Sequence, residues 1–392
     1  MLLRTLTAHL SILLLAGCVS AEITPSSVET PAPTRAPVVS DGLAAQHLAR
    51  LNRNMPAWLA AENVPSAAVA WLVDGEIAWT ATWGEQAPGI PANDRTLYNI
   101  ASLTKPIVAE TLLRLASAGR LDLNAPMAPV FVDGDLAADP RHSLLTPALA
   151  LSHRMGFSVN WRGDKPLEIA WEPGSKAFYS GEGYDYVARY AALATGTPME
   201  ALAREMVFAP VGMTDTWFRP DPAWEGRVAM VRGPDGTLRL PDNSPQGSAA
   251  DNVHTTIRDY ARFVRSAMQG QGLTLPIREA RGRIYDDQVA MACPPGIIPA
   301  DLCPRHTGYG LGWMIYETAD QRLFIHNGKG WGENTFAMFD PDRQTGVVVF
   351  TSGAYGRAVI SDVLKLLVDN PQLNALVAAE AAFEKRRLAS SQ

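Results

Sequence analysis

The chain of 392 residues is short of cysteine and of lysine: it has three Cys, and only six of its 34 cationic residues are Lys. No His or Cys residues stand at zinc-ligand spacing beside Cys293 and Cys303, so a structural metal site is disfavoured. There is no basic run, and acidic residues outnumber basic ones by 40 to 34, which argues against nucleic acid as a partner. No apolar run is long enough to cross a bilayer as a helix. The chain lacks a Gly-x-Ser-x-Gly elbow, so the α/β-hydrolase arrangement has no nucleophile to present. Gly328-x-Gly330-x-Gly332 leads into strand-like sequence and not into a helix, which removes the physical basis for dinucleotide binding. What remains is ordinary globular composition, 47% hydrophobic and 19% charged, with length enough for a large buried core.

Residues 1–18 read as an export segment. Arg4 supplies the positive region, and Leu10-Ser11-Ile12-Leu13-Leu14-Leu15 the short apolar one. Leu15-Ala16-Gly17-Cys18 looks like a bacterial lipoprotein box, so Cys18 is expected to be lipidated and to tether the protein by buried acyl chains. Val19 is not Asp, so by resemblance to Gram-negative sorting rules the outer membrane, facing the periplasm, is the expected location. Residues 19–40, with Pro25, Pro31, Pro33 and Pro37, read as an extended polar tether. An oxidising periplasm permits a disulfide between Cys293 and Cys303; two buried thiols are the alternative.

From residue 41 the pattern is that of a folded domain, expected over 41–370, with a C-terminal helix and tail over 371–392. Apolar residues at helical spacing mark 43–61. Ser66–Val73 and Glu76–Trp83 are β-rich runs joined by Asp74-Gly75, a hairpin signal. A helix is expected to begin near Ser102 and run to Ser117, stopped by Gly119. Residues 120–250 have few β-branched runs and read as a mostly helical insertion, with helices over 182–195 and 197–208, and another follows at 255–269. Strands return at Leu311–Tyr316, Arg322–His326, Thr335–Phe339 and Gly346–Thr351, and helices at 355–368 and 372–387 close the chain. The fold class is therefore α/β, in the α+β sense: an antiparallel sheet built from both ends of the chain, flanked by helices.

The chemistry begins with Ser102-Leu103-Thr104-Lys105, the only Ser-x-x-Lys in the sequence. Residues three apart share a helical face, about 5–6 Å between Cβ atoms. A serine hydroxyl needs a base to become a nucleophile, and a neutral lysine amine can serve. The helix N-terminus adds free N–H groups for an oxyanion. Read alone, the pair is equally a capping serine and a solvated lysine.

The surrounding residues add more. Tyr98-Asn99-Ile100-Ala101-Ser102-Leu103-Thr104-Lys105 resembles the active-site segment of the penicillin-recognising serine hydrolases: class C β-lactamases, D-alanyl-D-alanine carboxypeptidases and related esterases. Leu149–Phe157, Pro210-Val211-Gly212-Met213-Thr214-Asp215-Thr216 and Tyr309-Gly310-Leu311-Gly312-Trp313 resemble further segments of that family, in order, over roughly residues 43–370. The resemblance implies a β-lactamase/transpeptidase-like fold and an acyl-enzyme on Ser102. It implies Lys105 and Tyr179 as the proton-handling pair, with the Tyr179 phenol partly ionised near Lys105. His326-Asn327-Gly328 matches the third motif. There His326 would donate a hydrogen bond or charge near the Tyr179 oxygen, Gly328 would let substrate backbone approach, and the Lys329 amide would join that of Ser102 in an oxyanion hole. Trp331 is expected in the cleft.

One position departs. The family's second motif is Tyr-x-Asn, and here it reads Tyr179-Ser180-Gly181. The Asn amide that binds a substrate's acyl-amide carbonyl is missing, so a water or another residue has to fill the gap, and esters gain plausibility over β-lactams and D-alanyl peptides. The expected protein is a serine hydrolase acting on an ester or amide, with a small-molecule or peptidoglycan-type substrate, no metal and no organic cofactor. The alternative that Gly181 leaves open is a non-catalytic cell-wall-binding or sensor lipoprotein with the same fold. Oligomeric state is left open.

Overall fold

The computed structural model describes residues 41–161, 163, 165–294 and 298–390. The export segment, Cys18 and the 19–40 tether lie outside them. The first described helix is α1 (Asp41–Ala61), followed by the hairpin β1 (Ser66–Val73) and β2 (Glu76–Ala87) and the short β3 (Ile90–Pro91). The turn is made as the sequence suggests, with Asp74 and Gly75 both at positive φ, where Gly is at no disadvantage. After α2 (Thr104–Ser117) come α3 (Gly181–Thr195) and α4 (Ile257–Gln269), and then β4 (His306–Tyr309), β5 (Met314–Glu317), β6 (Arg322–Lys329), β7 (Asn334–Asp340) and β8 (Thr345–Thr351). The helices α5 (Gly356–Leu367) and α6 (Pro371–Ser390) complete the chain.

The eight strands form one sheet in the order β3-β2-β1-β8-β7-β6-β5-β4, with every neighbouring pair antiparallel. The N-terminal hairpin thus closes against the last strand of the chain, Ala67 opposite Thr351 and Val69 opposite Val349. Strand periodicity divides the core in two. Ala68, Ala70, Ala337, Phe339, Val348 and Phe350 face α2, α4 and the 120–250 region. Ala67, Val69, Phe336, Met338, Val347 and Val349 face α1, α5 and α6. Because both faces are covered, the central strands read as continuous apolar runs.

α2 runs through the first of these cores, and every residue from Thr104 to Leu115 is buried. Pro106 is tolerated in its first turn, where the missing N–H has no intrahelical acceptor. Gly119, at φ +69°, ends it as expected. Lower on the helix, buried Glu110 accepts from Arg281 Nη1 (2.8 Å) and Trp313 Nε1 (3.2 Å), which ties α2 to the sheet edge.

The helix begins near Ser102 as expected, with the 3-10 turn Ala101–Leu103 running into α2 at Thr104. Two expectations change. The strand expected at Leu311 begins at Met314, because Gly312 at φ +89° turns the chain first. The last helix is no appendage: Leu373 and Val377 are buried in the second core, and Glu384 pairs with Lys329. Cys293 and Cys303 are joined as a disulfide, their Cα atoms 5.9 Å apart.

Candidate active site

Ser102 is presented by a strained turn. Ala101 lies at φ +48°, a left-handed conformation that costs a residue with a Cβ on the order of 1 kcal/mol. Asn99 Oδ1 holds it by accepting from the Ala101 N–H at 2.7 Å, and the Ile100 carbonyl accepts from Thr335 Oγ1 of β7 at 2.8 Å. The turn is thereby clamped to the sheet, and Ser102 opens onto a cavity of about 340 Å³. Its lining also includes Asn160, Tyr179, Tyr309, Met314, Ile325, His326, Asn327 and Lys329.

Lys105, one turn on, is fully buried. Its Nζ is 3.2 Å from Ser102 Oγ and donates to the Ala250 carbonyl at 2.9 Å. Burial brings its pKa down to about 7, against the pull of the Asp251 and Asp185 charges. The segment that receives the amine is itself positioned: Asp185 of α3 accepts from the Ala249 N–H at 2.8 Å, and Thr104 Oγ1 from the Val253 N–H at 3.1 Å. Three aromatic rings surround the amine, with centroids at 4.8 Å (Tyr179), 5.6 Å (Trp161) and 5.7 Å (Tyr184).

Tyr179 comes from the loop before α3 and meets this pair from the far side. Burial pushes its phenol well above the usual range, and a hydrogen bond with Ser102 only partly opposes this. The expected partial phenolate is therefore corrected: desolvation keeps the phenol protonated, and Lys105 is the group poised to lose a proton near neutrality. The Tyr179 ring packs on His153, centroids 4.5 Å apart, and lies 6.2 Å from that of Tyr309. His153 Nδ1 accepts from the Ser180 N–H at 3.1 Å, so a neutral ring carries its proton on Nε2. Burial and the Lys105 charge hold its pKa well below the usual value.

His326 does lie beside Tyr179, ring centroids 6.4 Å apart. Its Nδ1 is 2.8 Å from the Asn327 carbonyl, which can only accept, so the proton sits on Nδ1 and Nε2 is an acceptor. Burial, with Lys105 nearby, lowers its pKa to about 3. The expected donation of charge is corrected on that ground: the imidazole is neutral and its free nitrogen accepts.

The rest of the third motif also departs from expectation. A Cβ on Gly328 would overlap the Ile100 carbonyl and Thr335 Oγ1, so this glycine makes room for the turn that carries Ser102. The same Cβ would lie 3.3 Å from the Ser102 nitrogen, which shows how closely the end of β6 runs beside that amide. Asn327 Oδ1 accepts from Arg357 Nη1 at 2.9 Å on the opposite face of β6, so its side chain is not offered to a ligand. The Lys329 side chain leaves the cavity to pair with Glu384. Trp331 does not line the cavity at Ser102. It lies under Arg239 (4.1 Å) and borders an adjoining cavity of about 410 Å³ with Ala101, Lys329 and Asp251.

Gly181, the first residue of α3, is where Trp161 enters. A Cβ at 181 would stand 2.6–2.8 Å from Cη2, Cζ2 and Cζ3 of the Trp161 ring. The gap expected at the missing Asn is thus filled by an indole. Asn160, next to it, accepts from the Gly181 N–H with Oδ1 at 2.7 Å. His153 and Tyr309 fall within stretches that the sequence singles out, although no role attaches to them there; Asn160 and Trp161 carry no sequence signal, since a loop brings them in. Among the described residues no group of three His, Cys, Asp or Glu side chains is arranged to hold a metal ion.

Comparison with known proteins agrees with this geometry. The family model described as Beta-lactamase matches residues 48–369. The chain is 25% identical over 304 residues to the D-alanyl-D-alanine-carboxypeptidase/endopeptidase AmpH of Escherichia coli (strain K12), covering 71% of this chain and 77% of that one. It is 30% identical over 214 residues to Esterase EstB of Burkholderia gladioli, covering 45% and 54%. A solved class C beta-lactamase has the same fold, with a TM-score of 0.67 at 15% identity over 83% of this chain and 96% of that one. With the family model spanning all the residues gathered around Ser102, the chain belongs to the Beta-lactamase family.

Proposed function

We propose that the chain hydrolyses carboxylic esters through an acyl-enzyme formed on Ser102. The serine-hydrolase class follows from membership of the family, and relatives include a protein named as an esterase and one named as a carboxypeptidase. The observation that carries the catalytic reading is the buried Lys105 amine, 3.2 Å from Ser102 Oγ and with a pKa of about 7. In the proposed reaction Ser102 Oγ attacks the ester carbonyl carbon while Lys105 takes its proton. The Ser102 and Lys329 amides hold the oxyanion, and the neutral His326 ring stands beside that of Tyr179. As the C–O bond breaks, the Tyr179 phenol gives its proton to the alkoxide and takes the one held by Lys105. Water then attacks the acyl carbonyl and returns a proton to Lys105, which restores Ser102.

Gly181 supports esters over amides, because it brings no side-chain amide of its own to bind an acylamino carbonyl, and the neighbouring Asn160 amide already has its Oδ1 on the Gly181 N–H. The test has two parts. Intact-mass analysis after a fluorophosphonate probe should show one adduct, on Ser102. A parallel panel of a chromogenic ester, a chromogenic cephalosporin and a D-alanyl-D-alanine peptide should show fastest turnover of the ester. A folded protein that takes no label would overturn the hydrolase reading, and faster turnover of the peptide or the cephalosporin would overturn the ester.

The same proposal places the protein outside the cytoplasm, anchored through acylated Cys18 in the outer membrane and facing the periplasm. Leu15-Ala16-Gly17-Cys18 and the polar stretch to residue 40 support this. Labelled palmitate should enter the full-length protein and not its Cys18→Ser variant, and membrane fractionation should follow the label.

A further inference from the structure

The loop that carries Trp161 has no counterpart among the motifs read from the sequence, yet it brings the indole to within 5.6 Å of the Lys105 amine. The ring carbons turned toward Gly181, Cη2, Cζ2 and Cζ3, all belong to the benzo ring of the indole. Those carbons offer neither a donor nor an acceptor. The same ring lies 5.6 Å from Lys105 Nζ, which is itself 3.2 Å from the nucleophile, and its neighbour Asn160 lines the cavity at Ser102. Met314 and Ile325 add apolar surface to that cavity, and Tyr309 adds a further ring. Trp161 itself is 43% exposed, so it has surface left for a ligand to cover.

We propose that Trp161 is the specificity-determining residue on the acyl side of the site: its ring, seated where a side chain at 181 would stand, gives the wall beside Asn160 an apolar face and selects esters with an extended apolar acyl chain over acylamino esters. An acylamino group entering there would lose its water and meet carbon, leaving a polar group unpaired. An apolar chain would instead bury itself against the indole, releasing water from both. The exchange is also mutual. With Trp161 in place no side chain longer than hydrogen fits at 181 without moving the ring, and with Gly at 181 the ring can reach the site.

The inference rests on the hydrolase reading above, and the experiment separates the two. The measurement is kcat/KM for p-nitrophenyl acetate, p-nitrophenyl hexanoate and the p-nitrophenyl ester of N-acetylglycine, with fluorophosphonate labelling of Ser102 followed in parallel. The unsubstituted protein should prefer hexanoate to the N-acetylglycine ester. Trp161→Ala should lower the hexanoate-to-acetate ratio about tenfold, the discrimination a lost apolar contact of this size produces. Trp161→Phe, which keeps a ring in the same place, should hold that ratio. The double variant Trp161→Ala/Gly181→Asn should move preference toward the N-acetylglycine ester. A preference of the unsubstituted protein for the N-acetylglycine ester would overturn the inference whether or not any variant folds. A hexanoate-to-acetate ratio unmoved by Trp161→Ala, with Ser102 still labelled, would overturn it alone. Absence of label in the unsubstituted protein would overturn the hydrolase reading and this inference together.

Discussion

Lys105 Nζ stands 3.2 Å from Ser102 Oγ while fully buried, so a desolvated amine lies one turn from a hydroxyl that opens onto a cavity. Desolvation does the chemical work in this pair. A lysine in water is protonated at neutral pH and cannot accept, whereas the same amine surrounded by rings and a backbone carbonyl releases its proton near pH 7.

Ester turnover should therefore rise with pH through about 7. Below that value Lys105 is an ammonium and has no lone pair for the Ser102 proton; above it the amine is free. The measurement is the pH profile of kcat/KM, which reports the free enzyme. A flat profile between pH 5 and 9 would remove Lys105 as the base.

Lys105→Met should lower kcat/KM by about 10³-fold, within the range of lost general-base catalysis. It should at the same time raise thermal stability. The sign follows from proton binding: between pH 7 and the ordinary lysine value the unfolded chain holds a proton that the folded chain does not, so stability rises with pH there and the lysine is a burden at pH 7. Removing it should add on the order of 1 kcal/mol, read as a higher melting temperature at pH 7.

Tyr179→Phe should lower turnover by about 10²-fold or more yet leave the limb near pH 7 where it is, because the buried phenol stays protonated and does not titrate there. Disappearance of that limb in the variant would assign it to the phenol.

The imidazoles of His153 and His326 should remain neutral when solvent histidines are charged. Both are buried, both have lowered pKa values, and His326 stands at about 3. Nitrogen chemical shifts of the labelled rings, followed down to pH 5, check this. A charged His326 at pH 6 would restore the role of charge donor that the Asn327 contact argues against.

Truncation before Pro371 should unfold the protein and not trim a tail. It would strip Leu373 and Val377 from the core and Glu384 from Lys329, a loss on the order of 5 kcal/mol that approaches the whole stability of a domain. Circular dichroism and solubility of the shortened chain are the readouts.

Much of the frame was legible because it depends on local chemistry. The Asp74-Gly75 hairpin, the apolar runs of β7 and β8 and the Gly119 stop follow from turn preference and periodicity. The Ser102–Lys105 spacing puts both groups on one face wherever a helical turn forms. Joining β1 to β8 needed the folded chain, since nothing in either strand's pattern names its partner across nearly three hundred residues.

By itself, then, the sequence determined which residues are candidates for the chemistry and roughly where helices and strands run: Ser102, Lys105, Tyr179 and His326 could be picked out from residue type, spacing and resemblance. The tertiary structure alone decided the state each of them is in. Burial lowers Lys105 and raises Tyr179, the Asn327 carbonyl sets the His326 tautomer, and a loop some twenty residues before Gly181 places Trp161 in the space the motif leaves empty. Protonation and shape depend on what surrounds a group in space, and most of those neighbours are distant along the chain.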